Sequence, residues 1–432
     1  MSVDLKTRER GGDERDAKSA SWDIHLTPGR SILLGLAILG GIAAAYRLFA
    51  GLGASTNLTD EWPWGLWVWW DVMVGVALAG GGYSTALLVH FLGQDRFKSI
   101  ERAAFLTSLI GYLLVVVGLF LDLGRWMNIY RIPMVWNANI HSVMFELVWC
   151  VSGYTFVQIV EFGHIFVERV RAPRLAHVLE KIYAPTLIIG VCLPVLHQSA
   201  LGSLYVIAAG RLDPLWWSML LPVFFLMSSF FVGPAMVTVE NFLASKPHNR
   251  KPPVDVLRQM VRISGWLMLV YFGLKVFDLT YRGMWPEVFS GTTASRLYLI
   301  EIVFGILVPM IIFLRPYRSQ ARLMTGATLT VLGVALSRAN VVFTGMAEQA
   351  QGASYVPSGG ELAVTIGIVS AGVLAYAFIC DNFPIQGAEV REPVVPESPA
   401  GAQYVARSKP IGDIPAVRSR GKGSPSTGRK SP

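Results

Sequence analysis

Apolar stretches long enough to cross a bilayer recur along this chain, parted by short polar segments. At 1.5 Å of rise per helical residue, about 20 apolar residues span a hydrocarbon layer roughly 30 Å thick. Ten runs reach that length, near 31–50, 66–92, 103–123, 141–165, 178–200, 215–244, 258–280, 296–314, 321–340 and 362–381. The pattern predicts an all-α polytopic membrane protein with ten transmembrane helices. Residues 1–30 read as a polar tail without a cleavage pattern, so the first run is expected to stay as an anchor. After Asp381 the chain turns rich in Pro, Gly, Ser and Arg, which predicts a disordered basic tail over 386–432.

Composition supports this class. Of 432 residues, 53% are hydrophobic and only 15% charged, and the mean hydropathy is +0.47. A net charge of +8 invites a nucleic-acid reading, but the basic residues sit in loops and tails. Of the 37 Lys and Arg, 29 fall in the two tails and in the loops after runs 2, 4, 6 and 8. The opposite loops hold five: Arg125, Arg131, Arg211, Arg282 and Arg296. The positive-inside bias puts both termini on the cytoplasmic side and accounts for the basic residues without a nucleic-acid partner. The three cysteines, Cys150, Cys192 and Cys380, lie within apolar runs and include no Cys-x-x-Cys. Neither an iron–sulfur cluster nor a zinc site can be assembled from them, so any clusters belong to a partner.

An internal repeat is superimposed on the runs. GYLLVVVGLFLDLGR, from Gly111, resembles GWLMLVYFGLKVFDLTYR, from Gly265, in its Gly-aromatic, Gly-Leu, Asp-Leu and Arg positions. Asp122 precedes Glu146 by 24 residues, and Asp278 precedes Glu301 by 23. The repeat unit is helices 2–5, copied as helices 6–9, so the expectation is two parallel four-helix bundles with helices 1 and 10 flanking them. The domains expected are a tail (1–30), a first flanking helix with its loop (31–65), bundle 1 (66–200), bundle 2 (201–340), a last flanking helix (341–385) and the basic tail.

Polar residues inside such helices are costly. A charge at mid-membrane costs roughly 2.5–3.5 kcal/mol on insertion scales, and such residues are usually functional. Glu146 is the strongest case, with His141 about 7 Å before it along the helix. With the termini inside, Asp71, Asp122, His141, Glu146 and His197 all fall in the outer half of bundle 1, and Gln198 and Ser199 follow His197. Tyr112 lies near mid-membrane. Asp122 and Arg125, three apart, form a candidate ion pair. Lys275, Asp278 and Glu301 form a second-bundle cluster, expected to be mutually neutralising. The tryptophans Trp62, Trp64, Trp67, Trp69 and Trp70 read as an interfacial belt.

An acid, a phenol and an imidazole near the outer boundary suit a quinone. Its carbonyls need hydrogen-bond donors, its reduction takes up two protons, and its isoprenoid tail enters from the bilayer. On residues alone, a bis-His haem using His141 and His197 and a secondary transporter also remain open.

At these residues the chain resembles a known family. WPWGLWVWWDVMVGVALAGGGY, GYLLVVVGLFLDLGR, NIHSVMFELVWC and LHQSALGSLY resemble segments of the NrfD/polysulfide-reductase membrane-subunit family, most closely its ten-helix HybB-like branch, over about residues 30–385. The resemblance implies a haem-free subunit of a respiratory oxidoreductase that exchanges electrons with menaquinone or ubiquinone. It implies, as partners, a periplasmic ferredoxin-like iron–sulfur subunit and the small and large subunits of a nickel–iron hydrogenase, or another catalytic pair. Glu146, Tyr112 and His197 match the family's quinone and proton-handling positions. Asp71 matches its motif acid, and Asp122 and Arg125 fall in its DLGR segment.

Overall fold

The computed structural model describes residues 22–132, 134, 136, 138–170, 173–245, 251–316, 319–347, 350, 354–383 and 385. Of the tail expected over 1–30, residues 1–21 lie outside the described residues and α1 takes up 28–30; the disorder expected over 386–432 also lies outside the described residues. Ten helices are long and apolar enough to cross a membrane. They are α1 (Pro28–Ala50), α2 (Trp67–Phe91), α3 (Asp95–Asp122), α4 (Val143–Val167), α5 (Arg174–Ile207), α6 (Leu221–Ser245), α7 (Val254–Tyr281), α8 (Thr293–Leu314), α9 (Gln320–Ala347) and α10 (Gly359–Asn382). Arg30 pairs with Asp381 at 2.6 Å, so α1 begins on the face where α10 ends. That side is called the terminal face below, and the other the opposite face.

Each group of four consecutive helices closes a ring. Helix α2 packs on α3, α3 on α4, α4 on α5, and α5 returns to α2; α6–α9 close in the same way. The rings meet along α2 and α6. Gly81 there abuts the Gly233 carbonyl, and a Cβ on Gly233 would lie 2.6 Å from Gly80. Helix α10 packs on α3, and α1 packs on α10 through Gly40 and Gly367, where a Cβ on either would meet the other's Cα at 2.5 Å. Both flanking helices therefore serve bundle 1.

Several boundaries differ from the periodicity reading, among them three helix starts. Helix α1 starts at Pro28, where the ring-fixed φ of proline suits a first helical turn and Thr27 Oγ1 accepts from the Arg30 N–H. Helix α3 starts at Asp95 and α5 at Arg174, because charged first turns at headgroup depth continue the helix without adding to the apolar signal. The tryptophan run is only partly a belt. Trp62 and Trp67 are buried, Trp67 Nε1 donates to the Glu361 carbonyl, and Trp69 Nε1 donates to the Ala335 carbonyl. Trp67–Val74 forms π-helical turns, a distortion frequent near functional sites, and Asp71 sits within them.

Candidate quinone site and its polar line

Bundle 1 brings Tyr112 of α3 and His197 of α5 together. Both are essentially inaccessible, at 0% and 1% exposure. The Tyr112 hydroxyl faces His197 Nδ1 at 3.5 Å, with the rings edge-on and 6.0 Å apart. The helix itself prepares this position. Pro194, three residues before His197, has no N–H to give the Gly190 carbonyl, which loosens α5 immediately ahead of the imidazole. Gln198, also buried, donates to the Val76 carbonyl at 3.1 Å, and its Oε1 has no hydrogen-bond partner among the described residues. Ser199 turns back to the Val195 carbonyl of its own helix at 3.0 Å.

The other predicted site residues are spread more widely. Asp71 is buried and accepts from Thr365 Oγ1 of α10 at 2.9 Å, with its Cβ against Gly118. His141 lies exposed in the turn before α4. Glu146 is also exposed, in the first turn of α4, where the partial positive charge of a helix N-terminus favours a carboxylate. It therefore does not share the enclosure of Tyr112 and His197. Buried Cys150 lies one turn further along α4, between the exposed Glu146 and the buried Tyr154 of the same helix.

The predicted Asp122–Arg125 pair does not form. The backbone turns extended at Leu123 and carries Arg125 into solvent. The cation acting on Asp122 is instead Arg47 of α1, whose Nη2 donates to the Leu123 carbonyl. In bundle 2, Asp278 pairs with Arg282 at 2.7 Å and accepts from Ser218 Oγ at 2.6 Å. Glu301 accepts from Trp216 Nε1 at 3.0 Å and Asn340 Nδ2 at 2.8 Å. Lys275 meets aromatic faces, with Nζ 4.5 Å from the Phe224 ring centre and 5.7 Å from that of Tyr298. Asp278 is thus held by Arg282 and Ser218, and Glu301 by neutral donors to Oε2 alone, rather than by Lys275.

The structure adds residues that the sequence reading passed over. The Tyr154 ring lies 4.4 Å from that of Tyr112, and its hydroxyl lies 3.2 Å from Ser108 Oγ. Gln158 Nε2 donates to Ser108 at 2.9 Å and also contacts the Tyr154 hydroxyl. Buried Glu161 follows, seated against Gly190. Near the terminal face, Tyr183 reaches His90 at 3.3 Å, and His90 contacts Glu101. Glu146, Cys150, Tyr154, Gln158 and Glu161 are spaced four, four, four and three apart, which is one face of a single helix. That spacing is visible in the sequence and would have identified the line.

A second acid, Glu240 of α6, is held between Thr107 and Tyr376.

Comparison with known proteins agrees with this architecture. A protein of Nitratidesulfovibrio vulgaris strain Hildenborough is 32% identical over 370 residues, covering 83% of this chain and 95% of its own length. The probable Ni/Fe-hydrogenase 2 b-type cytochrome subunit of Escherichia coli K12 is 28% identical over 343 residues, covering 78% of this chain and 87% of its own. The menaquinone reductase integral membrane subunit of the same Nitratidesulfovibrio strain is 27% identical over 385 residues, covering 80% and 88%. The family description "Polysulphide reductase, NrfD" matches residues 54–350. With ten apolar helices and these relatives, the chain is a multi-pass membrane protein that belongs to the NrfD family.

Proposed function

We propose that this chain is the quinone-reactive membrane subunit of a respiratory oxidoreductase, with the quinone headgroup held at Tyr112 and His197. The observation that carries the proposal is the buried phenol–imidazole pair beside a run of buried polar side chains. A menaquinone or ubiquinone carbonyl accepts a hydrogen bond from each of two donors, and Tyr112 and His197 are two such groups on facing helices. Reduction of a quinone to a quinol consumes two electrons and two protons. The line Tyr154, Ser108, Gln158 and Glu161 supplies groups that can pass protons to Tyr112 from the terminal side. Glu146 is the proton-handling acid at the opposite end of the same helix face.

The terminal face is cytoplasmic in this proposal, because loops and tails on that side carry the excess of Lys and Arg. Electrons then arrive at the opposite, periplasmic face from a ferredoxin-like iron–sulfur partner. The Escherichia coli relative favours a nickel–iron hydrogenase as the catalytic pair, and the menaquinone reductase relative supports menaquinone as the acceptor. The relative's name refers to a b-type cytochrome, whose haem takes axial ligands that face one another. The geometry of this chain suits that poorly, since His197 Nδ1 faces a tyrosine and His141 is exposed in a turn. We therefore propose that the subunit works without haem.

Photolabelling tests the site. A photoreactive menaquinone analogue irradiated with the purified complex is expected to mark peptides carrying Tyr112, Cys150 or His197, competed by unlabelled menaquinone. Competed labelling confined to bundle 2 would remove the proposal.

A further inference from the structure

A second site lies apart from the Tyr112–His197 pair. Where α1 leaves the tight crossing at Gly40 and Gly367, the helices part toward the opposite face and leave a cavity of about 190 Å³. Its walls include Ala43 and Arg47 of α1, Ala54 and Ser55 of the following linker, and Ser358 and Gly360 at the start of α10. The space is far above the roughly 10–15 Å³ that a single water needs.

Arg47 is the reason to look for a ligand here. It is 1% exposed, yet among the described residues only Nη2 has an acceptor, the Leu123 carbonyl. Its Nε and Nη1 are buried and have none. A guanidinium is always charged and carries five N–H donors, so two nitrogens with three of them stranded away from water call for an oxygen acceptor. The nearby carboxylates do not supply it. Asp122 acts on Arg47 through space but makes no ion pair with it within 4.0 Å. Glu361 is already engaged by the Asn57 N–H at 3.1 Å, the Ser358 N–H at 2.9 Å and the Tyr355 hydroxyl. The first turn of α10 forms another wall, and the leading N–H groups of a helix lack intrahelical acceptors and favour anions.

We propose that this cavity binds the phosphate group of a membrane phospholipid, with Arg47 as its cationic anchor. Position argues for a lipid source. Arg47 is in the last turn of α1, the depth at which headgroups lie if α1 crosses the bilayer. Helix α1 is the least buried of the ten, and Ile38, Leu39 and Ile42 present an exposed apolar strip below Arg47 for acyl chains. The lipid would fasten α1 and α10 to bundle 1 at the face opposite the termini.

The test uses the full-length chain in detergent, with fluorescent phosphatidylglycerol as probe and inorganic phosphate as competitor. The wild type is expected to bind the lipid saturably. Loss of a charge-assisted contact in Arg47→Gln should weaken binding about tenfold or more. Ala54→Leu, which narrows the cavity from an exposed linker position and leaves Arg47 intact, should weaken it as well. Excess inorganic phosphate should leave the lipid in place. Wild-type affinity in a folded Ala54→Leu variant would overturn the proposal. So would displacement by inorganic phosphate at concentrations equal to the lipid, which would assign the site to the free ion.

Discussion

Replacing Tyr112 by phenylalanine removes one oxygen and keeps the ring. The ring's edge-on packing with Tyr154 at 4.4 Å is retained. The hydroxyl stands 3.5 Å from His197 Nδ1, at the outer limit of a hydrogen bond, so its loss costs the fold less than about 1 kcal/mol. A bound quinone carbonyl would lose far more. A buried acceptor left without its donor costs about 1–3 kcal/mol. At 1.4 kcal/mol per decade that weakens the dissociation constant about 5- to 140-fold. The assay is titration of the full-length chain in lipid nanodiscs with a short-chain menaquinone analogue, read by tryptophan fluorescence quenching, with a thermal melt on each sample. A Tyr112→Phe variant that binds within about twofold of wild type, with an unchanged melt, refutes Tyr112 as a carbonyl donor.

Three further expectations follow from the same geometry. Glu161→Gln should leave analogue affinity unchanged but slow proton uptake from the terminal side of proteoliposomes by about tenfold or more; wild-type uptake would rule out the α4 route. Glu146→Gln, at an exposed position, should shift stability by no more than about 1 kcal/mol through the helix dipole, while slowing quinone reduction in the intact complex. Full activity there would end its assignment as a proton relay. Gly367→Leu should destabilise the α1–α10 crossing by about 1–3 kcal/mol, because its Cβ would sit 2.5 Å from the Gly40 Cα; an unchanged melting temperature would contradict that packing.

The ten helices were legible because hydrocarbon imposes a minimum apolar length on every crossing. Boundaries were less so, since Asp95–Arg102 and Arg174–Lys181 are helical but carry charges that halt the apolar pattern. Tyr112 and His197 were legible as rare polar groups, but the apolar runs put Tyr112 near mid-membrane and His197 further out; α5 continues to Ile207, and the two side chains meet. What the sequence could not show was which polar residues the neighbouring helices cover. Glu146 drew attention for its cost in lipid, yet it is exposed in the first turn of α4, whereas Glu161, on the same stripe and nearer a charged loop, is buried. Asp122 and Arg125 have the spacing of a helical pair, but the helix stops between them. Arg47 seemed to be no more than a charge at a helix end. Its burial depends on α3 and α10, which are distant in the chain.

The stripe on α4 gives these residues a common geometry. Its middle member, Tyr154, packs against Tyr112, its lower members lead toward the terminal face, and Glu146 stands alone at the opposite end. A quinone held at Tyr112 and His197 would therefore sit between two acids on one helix, one exposed and one enclosed. Under the proposed orientation, electrons reach this point from the periplasmic side, so the choice of acid decides the energetics. Protons taken through Glu146 would come from the electrons' own side and separate no charge. Protons taken through Glu161 would cross most of the membrane to meet them, and each quinone reduced would then move charge inward to outward against the potential, at about 2.3 kcal/mol per charge per 100 mV. The enclosed half of the stripe carries the mutually hydrogen-bonded groups Gln158, Ser108 and Tyr154, with the Tyr154 ring against that of Tyr112, and it favours the second course.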